Sequence, residues 1–288
     1  MNANNVCVGD EPGSDASKNL RKAIATVLAV YRDVTIDSYY GDAAAVINYP
    51  ISNTSWAAPQ KSDADYEVAF SKDVEGNPIY TDEMTDDEKF AAALEAAKGF
   101  FAAAGYTFGD DGKMTAAPAG AKLSYEVMIG AAGTGDHPSF AILTDAKAAL
   151  ATIGFDLEIN DITDSNIMWD ANNAGTSELW CAAWQATLDP DMVQIYHSTK
   201  GSSNHYRIAD ETLDADIMDA RSTADQAYRK SVYKQCLDII MDWAVEIPVY
   251  QRQNCVIYST ERINADTFTK DVTTFYPWYG DIINIEMN

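Results

Sequence analysis

The chain has 288 residues, 47% of them apolar, enough to bury the core of one large or two modest domains and too many for a disordered segment. Acidic side chains outnumber basic ones 44 to 20, for a formal charge of -24. That surplus repels phosphate backbones and anionic membrane surfaces and argues against a nucleic-acid partner, because such binding depends on Lys and Arg.

In chain order, the opening "NANNVCVGD" predicts a strand that starts in mid-structure, and with it a chain continuing from a longer precursor. Leu20, Ile24, Leu28 and Tyr31 recur at helical spacing, with Ser14 and Asp15 as caps, so Ala16–Tyr31 is an amphipathic helix. From Tyr39 to Tyr80 the Pro, Asn, Ser and aromatic texture predicts a long loop with short extended pieces. Thr85 and Glu88 form a capping-box signature opening a second helix that Gly105 ends, and "FGDDGKM" is a turn. Lys122–Gly130, Ser139–Phe155 and Asp156–Ile162 then read as strand, helix and strand, a βαβ unit. A short helix near Asp164–Asn172 and the extended run "SELWCAAW" continue it, so the fold class is α/β, a mixed sheet with flanking helices. Beyond Pro190 the chain turns helical. Leu213–Arg221 is a short helix, and Gln226–Val245 a longer one with Val232, Cys236, Ile239, Ile240 and Trp243 as its buried stripe. "EIPVYQRQNCVIYS" reads as two strands about a polar turn, and the aromatic tail "TTFYPWYGDIINIEMN" has no core of its own.

Cys7, Cys181, Cys236 and Cys255 lie far apart without CxxC or zinc spacing. Buried free thiols are expected, and a Cys7–Cys255 bridge is left open. There is no apolar run of about 18 residues to span a membrane and no basic-then-apolar leader.

The pieces "NLRKAI", "YYGDAA", "AALEAAKGFFAAAGY", "DDGKM", "DAKAALATIGFDLEI", "LWCAAWQATLDPD" and "AYRKSVYKQCLDIIMDWAVEIPVYQ" come in the order found in extracellular solute-binding proteins of family 5, the oligopeptide and dipeptide type. Almost the whole chain resembles the second half of such a protein. Two features depart from the pattern: the first lobe is missing, and "AVYRD" at Ala29–Asp33 stands where "AIDR" is usual. The resemblance implies the second lobe of a two-lobed periplasmic-binding-protein-like fold of the peptide-binding type. Residues 1–253 would form the α/β lobe, and 254–288, from Asn254, the segment that returns to the first lobe. It further implies a monomeric receptor, a surface lipoprotein or periplasmic protein, that closes on a peptide and hands it to the membrane permease of an ABC importer, without cofactor or catalysis.

The same resemblance places Trp184 and the turn after it on the cleft wall, with an acidic residue there to hold the ligand's amino terminus by a charge-assisted bond. Asp189 is the local match, although many peptide binders carry Asp three residues after the Trp, where this chain has Thr187. A ligand lacking a free amino group would follow if Thr187 holds the anchor position. Asp189 and Pro190 equally suit a helix start, as N-cap and first residue. Trp180 and Trp184 share a strand face, opposite Cys181, Ala183 and Gln185, and serve either as ligand platform or as core. Asn204 and Tyr206, in the polar stretch Lys200–Asp210, contact ligand backbone or lie in a solvated loop.

Other chemistry finds little support. His197 and His205 are eight apart, which matches no zinc spacing, and "GDDGK" lacks the ligands of a calcium loop. "GAAGTGD" has neither GxGxxG nor a phosphate-loop lysine, and GxSxG does not occur. A carboxylate-dependent hydrolase and a sensory or adhesion module remain as alternatives.

Overall fold

The computed structural model describes residues 1–185, 187–253, 255–270, 272 and 276–288. The division expected at Asn254 lies outside the described residues.

The first helix, α1 (Asp15–Val30), is capped by the Ser14 hydroxyl, which accepts from Ser17 N at 3.2 Å. α2 (Arg32–Tyr40) follows directly and leads to a short strand, β1 (Ala44–Val46). After the long loop comes α3 (Asp86–Ala103), opened by the capping box of Thr85 and Glu88. "FGDDGKM" is the turn of a hairpin between β2 (Thr107–Phe108) and β3 (Met114–Ala116).

Next come β4 (Ser124–Ile129), α4 (Pro138–Thr152), β5 (Asp156–Asp161), α5 (Ser165–Ala174) and β6 (Leu179–Cys181). The three strands form one parallel sheet in the order β5-β4-β6, with Val127 opposite both Ile159 and Leu179. The chain leaves β4 toward β5 and then crosses to β6 on the other side. Such a reversal makes the carboxyl edge of β4 and β6 a switch point, where open α/β sheets hold their ligands.

The remaining elements are α6 (Val193–Tyr196), α7 (Glu211–Ala220), α8 (Gln226–Trp243) and β7 (Tyr250–Arg252). β7 pairs antiparallel with β1, more than two hundred residues earlier in the chain. This corrects the expected hairpin in "EIPVYQRQNCVIYS": the strand partner is distant, and 255–259 carries no strand. The opening residues are also no strand but turns, in which Asn2 N donates to Glu178 O and Ala3 N to Tyr206 O, both at 2.8 Å.

Apolar side chains gather in three clusters among the described residues. The largest joins α1, α3, α4 and the sheet around Phe101, Leu150, Phe155 and Leu157, all essentially without exposure. Each such side chain contributes about 1.5–3 kcal/mol by leaving water. A second cluster packs α7 and α8 onto Tyr49, Tyr196 and Tyr206, and a third, small one joins Met128, Ile162 and Met168. Trp180 touches the second and third, so the end of β6 is fixed between two packed bodies.

Two buried arginines tie loops to these bodies through carbonyls. Arg21 donates to Trp243 O, Val6 O and Pro12 O. Arg32, within the divergent "AVYRD", reaches Ala29 O, Ile47 O, Pro248 O and Asn48 Oδ1. Charged donors to carbonyls are among the stronger hydrogen bonds, which explains how a guanidinium can sit inside without a carboxylate.

Candidate functional site

At the carboxyl edge of the sheet, β6 ends at Cys181, and the described residues from Ala182 to Asp189 are all exposed. Trp180, at the strand's end, stacks on the Tyr206 ring (centroids 5.3 Å, 23°), and Tyr206 stacks in turn on Tyr196 (5.7 Å, 8°). The Asn204 side chain holds the loop that carries Tyr206. Its Nδ2 donates to Ile208 O at 2.9 Å and lies 3.3 Å from Tyr196 O. Asp214 secures the same loop by accepting from Ser198 N at 2.8 Å and from the Ser198 hydroxyl.

Trp184 lies beyond the strand, yet it points to the side of Trp180, as parity predicts. Its indole N–H donates to the Tyr206 hydroxyl at 2.8 Å, and its ring lies parallel to His205 (6.3 Å, 5°) and beside Trp169 (6.2 Å). The side chain remains 36% exposed, a fixed ring with an open face. Behind it, half-buried Glu246 receives hydrogen bonds from the Tyr196 hydroxyl at 2.6 Å and from that of Tyr206. Burial raises the Glu246 pKa, and the two tyrosines oppose the rise. Burial likewise lowers that of His205 and, together with Glu246, drives the Tyr196 and Tyr206 hydroxyls well above their ordinary values. The chain Trp184, Tyr206, Glu246 is therefore a neutral-donor relay onto one carboxylate.

Asp189 lies in an ion pair with Arg229 (2.7 Å), whose guanidinium also donates to Ala220 O and the Tyr233 hydroxyl and sits over the Trp56 ring. Thr187 is exposed, and its hydroxyl donates to Asp189 O at 2.5 Å. The helix-start reading of Asp189 and Pro190 is corrected: α6 begins after Met192, and the nearby carboxylate that accepts a helix N–H is Asp191, from Val193 N at 3.0 Å. The solvated-loop reading of Asn204 and Tyr206 is corrected too, since both are buried. Asn204 acts on the wall by shaping the turn, and Tyr206 by holding Trp184.

His205, Trp169, Arg229 and Glu246 are the participants that sequence reasoning missed. Trp169 lies on α5 and Arg229 on α8, while His205 and Glu246 lie in the loops before α7 and after α8, and no local spacing encodes how these pack together. The remaining motifs resolve into structure. "GAAGTGD" wraps the Asp161 carboxylate, which accepts from Ala131 N and Gly135 N. All four cysteines are free, so no Cys7–Cys255 bridge forms. Cys7 and Cys236 are buried, whereas Cys255 is exposed, in a tail whose described apolar side chains join none of the three clusters. Among the described residues no group of His, Cys, Asp and Glu is placed to hold a metal ion. Two open hollows of about 400 and 450 Å³ lie elsewhere, one along α3 beside Asp73 and Pro78 and one over Glu126, Lys147 and Glu158. The aromatic residues around Trp184 line neither of them.

The family model for bacterial extracellular solute-binding proteins, family 5 Middle, matches residues 1–206. The chain belongs to that family. It is a family of binding proteins and not of enzymes. No match was found among curated proteins. Among solved structures, the chain is similar to the oligopeptide-binding protein AppA of Bacillus subtilis in complex with a nonapeptide. There the TM-score is 0.62 at 20% identity, over 82% of this chain and 42% of that one. It also resembles the peptide-complexed DppA of Helicobacter pylori (TM-score 0.55, 20% identity, 81% and 38% covered). NikZ of Campylobacter jejuni in complex with Ni(L-His) is similar as well (TM-score 0.58, 17% identity, 83% and 43% covered). The chain thus spans less than half the length of these family-fold relatives. The α/β fold expected from the sequence is shared with them. No helix among the described residues is long and apolar enough to cross a membrane.

Proposed function

We propose that residues 1–253 form one lobe of a solute receptor and that the exposed strip around Trp184 is its half of a cleft closing on a peptide. The carrying observation is the Trp184 ring, open on one face and held by Tyr206 at the carboxyl edge of the switch-point sheet. An isolated indole on a loop would cost ordering entropy on binding; this one has already lost it. In this reading the receptor works as a monomer at the cell surface or in the periplasm and delivers peptide to an ABC permease. The peptide complexes of AppA and DppA agree with a peptide ligand, and the Ni(L-His) complex of NikZ makes a metal chelate the competing class to include in the test.

Residues 254–288 would return to the opposite lobe. Ile257 and Ile283 are 92% and 91% exposed, and the described apolar side chains of this segment belong to none of the three clusters. That is how a segment built to pack on another body would look.

The test is thermal unfolding of the full-length protein with di- to octapeptides. A bound peptide at a hundredfold excess over its dissociation constant adds about 2.7 kcal/mol. Trp184→Ala should remove that gain, measured against the variant's own ligand-free melting temperature, which falls in its own right because the bond to Tyr206 is lost. A shift with sugars or a metal chelate and none with any peptide would overturn the ligand class.

A further inference from the structure

In a chain of net charge -24, an open wall is expected to be anionic and to attract cationic ligand groups. The carboxylates of the loop that follows Trp184, and the one behind Tyr206, do not behave so. Asp189 is paired with Arg229 at 2.7 Å, and Asp191 faces Arg221 Nε at 3.3 Å. Glu246 spends its acceptors on the Tyr196 and Tyr206 hydroxyls. Thr187 offers a hydroxyl already turned to Asp189 O.

We infer that the Trp184 wall is a charge-compensated aromatic platform that receives an uncharged part of the ligand, an apolar or aromatic side chain or a blocked end, and that Arg229 is the specificity-determining residue. This rests on the peptide-receptor reading above. Arg229 bonds Asp189 Oδ1, and it is itself fixed by Ala220 O and the Tyr233 hydroxyl and flanked by the Trp56 and Tyr233 rings. It is therefore not a mobile counterion that a ligand ammonium displaces at no cost. Among the described residues, the one partner of the Asp189 carboxylate is this fixed guanidinium, so the pair together presents no net charge to a third group. What remains in reach of a ligand is the open face of the indole, which favours apolar and aromatic surface.

The experiment uses the full-length protein and one mixture of di- to octapeptides, presented either with free amino termini or with the same termini acetylated. The expected result is that the acetylated mixture binds at least as well as the free one by calorimetry and melting shift. Asp189→Asn should leave the ratio between them unchanged, since that carboxylate is already compensated. Arg229→Gln should release it and improve binding of the free-amine mixture by about tenfold, the scale of one hydrogen bond to a charged group. Asp189→Asn in the Arg229→Gln background should cancel that gain. A wild-type preference of tenfold or more for free amines that Asp189→Asn abolishes would overturn the inference and leave the receptor reading intact. Failure of both mixtures to bind would instead overturn the receptor reading, and the inference with it.

Discussion

Trp184 and Tyr206 are joined by one hydrogen bond, indole N–H to phenol oxygen at 2.8 Å, across a gap of 22 residues. Trp184 is exposed and Tyr206 is 4% exposed, so the bond connects a surface ring to the interior. The phenol also reaches Glu246, which makes the orientation of the indole a consequence of a carboxylate on the far side of the wall.

Tyr206→Phe keeps the stacking on Trp180 and Tyr196 but removes the acceptor for Trp184 and one donor to Glu246. The expected cost is about 1–3 kcal/mol, the penalty for leaving a buried partner unsatisfied, read by urea unfolding. The emission of Trp184, isolated by subtracting a Trp184→Phe sample, should shift to the red and become easier to quench. An unchanged spectrum would mean that packing alone holds the ring.

Glu246 sets a pH dependence of known sign. Burial raises its folded-state pKa above the ordinary carboxyl value, so the native state holds the proton longer than the unfolded chain does. Stability from this group is present below the unfolded pKa and is lost as pH rises through the folded one. Glu246→Gln removes the titration while keeping an acceptor for the tyrosines. The stability difference between variant and wild type should therefore move in favour of Gln as pH rises from the acid side, then level off. Parallel denaturation curves at several pH values check this, and a difference that moves the opposite way contradicts it.

The parts of the fold legible in the sequence are those whose signals are local. The capping box of Thr85 and Glu88, the strands and helix of the unit from β4 to β5, and the stripe of α8, in which Ile239 is only half-buried while Tyr233 and Leu237 join it, all carry signals from residues within one element. The misread parts depend on distant partners. Asn2 and Asn5 send their side chains to Gly175 O and Ser177 O, and short amides that bind backbone in this way compete with a strand ladder. β7 pairs with β1 and not with its chain neighbour. In the site, strand parity placed Trp180 and Trp184 together. Arg229 lies in the first turn of α8 and Glu246 three residues beyond its end, and only tertiary packing brings them to Asp189 and to Tyr206.

Two glycines with similar backbone angles should respond differently to alanine. Gly76 (φ +87°) and Gly120 (φ +81°) both lie in the left-handed region. A Cβ on Gly76 meets open space, whereas one on Gly120 would lie 2.7 Å from Gly9 N and O. Gly76→Ala should cost about 1 kcal/mol, the price of the backbone angle alone. Gly120→Ala adds displacement of a backbone segment, for a total of about 3 kcal/mol or more. Urea unfolding of both variants checks the contrast, and equal costs would show that the approach of the Gly9 turn relaxes freely.

The C-terminal segment gives the remaining prediction. The hydrogen bonds seen for its described residues join it to itself: Asn264 N to Glu286 O, Asn288 N to Arg262 O, and the Thr269 hydroxyl to Trp278 O. Its apolar side chains stay outside the clusters that hold residues 1–253 together, and β7 ends at Arg252 with its pairing to β1 complete. Stability scales with apolar area removed from water, so removing a segment that buries little should change little. A chain ending at Gln253 should melt within about 2 °C of the 288-residue chain, a difference worth about 1 kcal/mol or less at this size. It should also be more soluble, because Ile257, Ile283 and Met287 no longer face water. The same deletion in the full-length protein should act in the opposite direction and lower its melting temperature, because there the segment would lose its packing on the other lobe. A large loss of stability in the 253-residue chain would show that the segment belongs to this lobe and would remove the support for its return to the other.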